Sequence, residues 1–278
     1  MRKTCRYAQM ATLVVLGLIG LSCNHLDEIH QNEVVETPGE TSRYILTIKA
    51  DKGDPTKALE DMGTYLKSTW TAGDKVTVYG PGNQILGTLT ASTGGSSSTT
   101  LEGDLTQAPQ VGEALTLKYR SDSYLTQKGT LDYIAANCDY ALATVSVETV
   151  SGMQITTTPA LFESQQAIVK FALQNADGDA IAVSQFLLNN GSATFTINLD
   201  TPGSIVYVAL PAFSNQTVTL SAAAGTNYYD LSKADVTFEC GKFYTRTAKL
   251  KKQPVSSITL DGNAVTYIYS GAPASEAI

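Results

Sequence analysis

Histidine is almost missing from this chain. There are two in 278 residues, His25 and His30, and both precede the first segment that reads as a strand. The folded part offers no imidazole, which excludes Ser-His-Asp and Cys-His catalysis and every His-ligated metal site. Charge is sparse as well, at 16% of residues, and it leans acidic, with a formal net charge of -7. A nucleic-acid partner is excluded on that ground, because it requires a basic face that displaces counterions. No CxxC pair marks a redox or zinc site. No Gly-rich loop opens a helix in the manner of a phosphate cradle, the run Ser92 to Thr100 reading as a hairpin loop. No segment keeps a helical period, so neither a coiled coil nor a membrane-surface helix is expected.

What is present is 43% hydrophobic residue with 22 glycines and 14 tyrosines. That is enough apolar material for real cores, in the Thr-, Val- and Tyr-rich composition of an extracellular β-protein. The chain opens as an address. Arg2, Lys3 and Arg6 precede an apolar run, Ala11 to Leu21, which is too short to span a bilayer and reads as an export signal. It ends at Ser22-Cys23, the pattern of a bacterial lipoprotein signal in which Cys23 becomes the acylated first residue. Loss of residues 1–22 removes three positive charges and takes the formal charge from -7 to -10, so such a protein is held by its lipid and not by anionic headgroups. Residues 23–43 are polar and acidic and read as a tether. Of the other cysteines, Cys5 leaves with the signal. Cys138 and Cys240 are either bonded after export or two separately buried thiols.

From Tyr44 the texture changes. The removable-strand candidate Tyr44, Ile45, Leu46, Thr47, Ile48, Lys49 and Ala50 carries Ile45 and Ile48 as apolar positions in an imperfect alternation, before a loop broken by Gly53 and Pro55. Short strands follow at 65–70, 75–79, 84–90, 99–102, 114–120, 141–150 and 153–158, with turns every 8–12 residues, as in a sandwich or barrel. Leu131 to Cys138 is the best helical candidate. A boundary near Pro159 precedes a second series of strands from Ala167 to Leu250. Asn175 to Asp179 is read as a turn and not a calcium loop, since Phe186 stands where the closing carboxylate is required. No metal and no cofactor are expected.

Three stretches together resemble the fimbrillin-like lipoproteins of Bacteroides-type bacteria, the subunits of their surface pili. They are Tyr44 to Gly53 with Pro55 to Leu59; Ser68 to Trp70 with Gly73 to Tyr79; and Ile205 to Pro211 with Tyr228-Tyr229 and Gly241 to Leu250. The resemblance covers about Tyr44 to Lys252. It implies an all-β protein of two tandem transthyretin-like (Greek-key) β-sandwich domains, 44–160 and 161–252, after the signal and tether, with a tail at 253–278. It also implies a non-catalytic structural or adhesive subunit, lipid-anchored and exposed on the outer membrane or placed in a fimbrium. Its partners would be other fimbrillin-like subunits, the outer membrane through the lipid, and a host or bacterial surface receptor. In this family a protease cuts after an Arg following the first strand. The groove left behind accepts a strand from the next subunit, a case of β-augmentation.

The matching place here is Lys57-Ala58, which departs from the family's Arg, and the two side chains are not interchangeable in a specificity pocket. Three roles stay open: cutting at Lys57 by a less selective protease, an uncut anchor, or a monomer that never polymerises. The tail carries a turn signal, Asp261-Gly262-Asn263, and is either a donated segment or a hairpin on its own domain. A lipid-anchored glycan- or peptide-binding protein shares the same features, and a row of exposed aromatics would mark it. An enzyme would need a carboxylate pair such as Asp132 and Asp139 in one cleft.

Overall fold

The computed structural model describes residues 43–53, 60–63, 66–120 and 123–254. Within them the chain is almost entirely β and falls into two units. The first contains β1 (Tyr44–Asp51) and, after a small hairpin of β2 (Glu60–Asp61) and β3 (Leu66–Lys67) that packs on the second unit, β4 (Lys75–Tyr79), β5 (Ile85–Ala91), β6 (Ser98–Leu105) and β7 (Ala114–Tyr119). A connecting segment holds β8 (Thr126–Gln127) and α1 (Leu131–Asn137), after which β9 (Ala141–Ser151), β10 (Gln154–Thr157), β11 (Ala160–Leu161) and β12 (Glu163–Ser164) complete the unit. The second unit contains β13 (Gln166–Gln174), β14 (Val183–Asn189), β15 (Thr194–Gly203), β16 (Ile205–Pro211), β17 (Phe213–Ala224), β18 (Asn227–Phe238), β19 (Phe243–Lys249) and β20 (Lys251–Lys252).

The main sheet of the first unit closes on itself. Its order is β10-β1-β6-β5-β4-β7-β9, and β9 pairs back onto β10. Closure comes from the turn at Gly152 (φ 58), which folds β10 antiparallel to β9 and delivers it parallel to β1. A sheet closed this way keeps no edge for unwanted pairing, which differs from the two separate sheets of the expected sandwich. The bend needs glycine where β5 and β6 cross: a Cβ on Gly87 would lie 2.2 Å from the Asp104 carbonyl oxygen, and one on Gly103 2.2 Å from that of Thr88. Strand alternation fills the interior with Leu46, Ile48, Val76, Val78, Leu115 and Leu117, all buried. Trp70 meets Tyr119 and Phe162 edge-on, at 5.6 and 5.4 Å between ring centres, a favoured aromatic geometry.

The second unit is a two-layer sandwich. A three-stranded sheet, β16-β13-β19, faces a six-stranded sheet, β20-β18-β17-β14-β15-β8, across a core that includes Val169, Phe186, Phe195 and Val208. Residues 123–140, grouped with the first unit on sequence, pack here instead. β8 pairs parallel with β15, and Ile134 of α1 is wholly buried in the second core. α1 forms at the expected place because the Thr130 hydroxyl accepts from the Tyr133 amide at 3.2 Å and caps its start. The expected strand at 65–70 is reduced to β3.

Gln127 ties the two sheets together. It is fully buried, donates from Nε2 to the carbonyls of Tyr124 and Ala209 at 2.7 and 2.8 Å, and accepts from the Ala209 amide at 2.9 Å. The Gly129 carbonyl accepts from the Tyr207 amide. Segment 127–129 therefore covers the outer edge of β16, whose backbone groups would otherwise be left unpaired.

Candidate functional site

The removable-strand candidate is seated as an interior strand. β1 pairs antiparallel with β6 over all eight residues, Tyr44↔Leu105 to Asp51↔Ser98. On its other side it runs parallel to β10 at Ile45, Leu46 and Thr47 and to β11 at Ala50 and Asp51. Leu46, Ile48 and Ala50 point into the core, while Thr47 and Lys49 are exposed. The inward set is therefore 46, 48 and 50. Ile45 and Ile48 lie on opposite faces, as residues three apart on a strand must, and Ile45 is only half-buried.

Just past β1 the chain is gripped by a buried cation. The Lys52 side chain is 2% exposed. Its ammonium lies 3.7 Å from the centre of the Trp70 ring and 4.8 Å from that of Tyr119. It donates to the Thr69 carbonyl at 3.1 Å and stands 3.4 Å from Asp74 Oδ2. Asp74 also accepts from the Thr71 amide at 3.0 Å and pairs with Arg120 at 3.7 Å. Burial dominates the electrostatics and pushes the Lys52 pKa down to about 8, against the opposing pull of Asp74 and Asp139. The same burial raises the Tyr119 phenol above its ordinary value.

At Asp61 the chain is gripped again, by the other unit. Asp61 Oδ2 accepts from Lys170 Nζ at 2.6 Å and from the Tyr207 hydroxyl at 2.7 Å, and Oδ1 accepts from the Gly63 amide at 2.8 Å. Lys170 belongs to β13 and Tyr207 to β16, which are paired neighbours. The bond from Lys170, above all, holds the Asp61 carboxyl below its usual range. Leu66 of the same hairpin is wholly buried in the core of the second unit. Thus β1 belongs to the first unit and the β2–β3 hairpin is stapled to the second. Residues 54–59, which link them along the chain and include Lys57 and Ala58, lie outside the described residues, as do Cys23, the tether and the tail from residue 255.

Other sequence candidates resolve plainly. Asp132 is exposed in the first turn of α1, whereas Asp139 is wholly buried and accepts from Gln166 Nε2 at 3.0 Å, so the two do not share a cleft. Cys138 is a free, buried thiol, so it is not bonded to Cys240; burial pushes its pKa up to about 12, making it a poor nucleophile. Asn175 to Asp179 is a closed turn, with the Asp179 amide donating to Asn175 Oδ1 at 2.8 Å. Among the described residues no group of three or more acidic, Cys or His side chains could hold a metal. Among the described residues one large aromatic, Tyr228 at 37%, stands well out of the surface, so these residues carry no row of exposed aromatics. Lys52, Asp61 and Gln127 have no sequence signature. The cage's one signal is Trp70, the only tryptophan.

No family model matches the chain, and no curated protein matches it in sequence. In structure it is similar to a putative cell adhesion protein of Bacteroides uniformis, at 14% identity and a TM-score of 0.44, over 77% of this chain and 98% of that one. It is also similar to a fimbrial assembly protein of Parabacteroides distasonis, at 9% identity and a TM-score of 0.42, over 74% and 91%. A minor pilin of Streptococcus agalactiae matches at 14% identity and a TM-score of 0.30, over 78% and 99%.

Proposed function

We propose that this protein is a non-catalytic, pilus-related adhesive subunit of the fimbrillin-like kind, carried to the outer-membrane surface as a lipoprotein on Cys23 and assembled by replacement of β1. The observation that carries the reading is the placement of β1. It is a complete interior strand with three inward side chains, and it is followed by two anchors nine positions apart on different units, Lys52 on the first and Asp61 on the second. A cut after Lys57, between those anchors in the chain, would leave the hairpin stapled to the second unit and free β1 to depart. The vacated seat would expose unpaired β6, β10 and β11 backbone and the sites of Leu46 and Ile48, each contributing about 1.5–3 kcal/mol when buried. Unpaired buried backbone is costly, so a strand from a second copy would bind the seat well. The transthyretin-like description of the second unit, the protein's role as a repeating subunit and the surface receptor belong to the same proposal.

The test compares the native chain with Lys57→Arg under an Arg-specific protease, following the new N-terminus and the oligomer size. Cleavage after residue 57 with loss of β1 should yield strand-linked oligomers. A cut form that loses β1 and stays a stable monomer refutes strand replacement. For the anchor, Cys23→Ala should release the protein from membranes or stall it as a precursor. Unchanged membrane fractionation refutes the lipoprotein reading.

A further inference from the structure

Away from the β1 seat, the outer face of β4 and β7 and the end of α1 enclose a cleft of about 700 Å³, a volume within the range of small-ligand sites. Its charge is opposite to that of the protein. In a chain with a formal charge of -7, the cleft is lined by Lys75, Lys118 and Arg120 and by one carboxylate, Asp74. That carboxylate is already engaged by Lys52 at 3.4 Å and by Arg120 at 3.7 Å, so the wall is net cationic.

Arg120 is held in place at a conformational cost. Its φ is +55°, in the left-handed region that residues with a Cβ avoid. Its Nε donates to the Tyr119 hydroxyl at 2.8 Å, and its guanidinium lies 5.1 Å from the centre of that ring. A strained residue pinned by its surroundings on a cleft wall points to a site. The remaining lining includes Thr77, Tyr79 and Asn137, all able to hydrogen-bond hydroxyls.

A peptide would find little here. β4 is paired on both sides by β5 and β7, and β7 by β4 and β9, so neither strand offers a backbone edge to an extended chain. The lining offers no aliphatic side chain larger than Ala136. We infer that this cleft binds a carboxylated saccharide of the uronic-acid class. Its carboxylate is received by Arg120 and Lys118, since a guanidinium fork matches a planar carboxylate. Thr77, Tyr79 and Asn137 receive ring hydroxyls. Recognition is by charge and hydrogen bonding. The inference does not depend on β1 replacement.

The test is calorimetric titration of the full-length chain with tetragalacturonate, neutral galactotetraose and hexaglutamate, at low and moderate salt. Tetragalacturonate should bind at least about tenfold more tightly than the neutral sugar and weaken with salt. Lys118→Glu should lower its affinity by about tenfold or more with an unchanged unfolding midpoint. Arg120→Lys, which keeps the charge but loses the fork, should also weaken it, and it serves as the readout if Lys118→Glu does not fold. Equal binding of acidic and neutral sugars, no binding of tetragalacturonate, or affinity unmoved by both substitutions overturns the assignment. Tighter binding of hexaglutamate than of tetragalacturonate also overturns it, in favour of an acidic peptide.

Discussion

Replacing Lys52 by Met tests the buried cation directly. Met keeps the length and apolar stem but removes the charge from the cage of Trp70 and Tyr119. The folded-state pKa of Lys52 is lowered from 10.5 to about 8, mainly by burial. Between those two values the unfolded chain holds more protons than the folded one, so this group's contribution to stability rises with pH. One pKa unit corresponds to about 1.4 kcal/mol, so burying the ammonium costs about 3 kcal/mol at neutral pH, and about 2 kcal/mol of that is recovered between about pH 7 and about pH 9.5. Cys138, pushed up to about 12, acts oppositely, because the unfolded thiol ionises first and stability is lost above its ordinary pKa. Tyr119, also raised, does the same above about pH 10. Both residues are present in both proteins, and stopping near pH 9.5 keeps the tyrosine out. The assay is urea unfolding of native and Lys52→Met proteins across this range. Native stability minus variant stability should climb by about 2 kcal/mol. A flat difference would refute the desolvation argument. A falling one would show that attraction to Asp74 outweighs burial.

Two further outcomes follow from the same geometry. Gln127→Leu should destabilise the second unit by about 2–3 kcal/mol in chemical denaturation, since it leaves the Ala209 amide and carbonyl buried without their partner; a change below about 0.5 kcal/mol would refute the bridging role. Asp61→Asn should loosen the β2–β3 hairpin, read as faster amide exchange at 60–67 with little change in β13. Because the Asp61 pKa is lowered, the native hairpin's protection should be full above the ordinary carboxylate range and fall as pH drops through the folded pKa, a dependence absent from the variant.

Much of the architecture was legible in order along the chain. The spaced turns and β-branched runs indicated an all-β protein. α1 lies where Leu131 to Cys138 was the best helical candidate, and the strands expected at 141–150 and 153–158 meet at the turn of Gly152. The face of β1 was not legible, because Ile45 and Leu46 are adjacent and equally apolar; the pairing with β6 and β10 decides which one turns inward. The membership of residues 123–140 was equally hidden. Tyr124, Ile134 and Cys138 announce burial but not the core in which they are buried.

Sequence alone determined those properties that depend on composition and nearest neighbours: the scarcity of histidine, the acidic charge, and strands instead of helices. Tertiary structure alone decided everything that depends on which distant segments meet. Lys52 is an ordinary loop lysine until Trp70 and Tyr119 close over it. Asp61 is an ordinary acid until Lys170, 109 positions away, reaches it. The closed sheet exists only because β10 returns to β1. Burial, pairing and electrostatic shift are properties of surroundings, and these surroundings are assembled from residues too far apart in the chain for any local pattern to record.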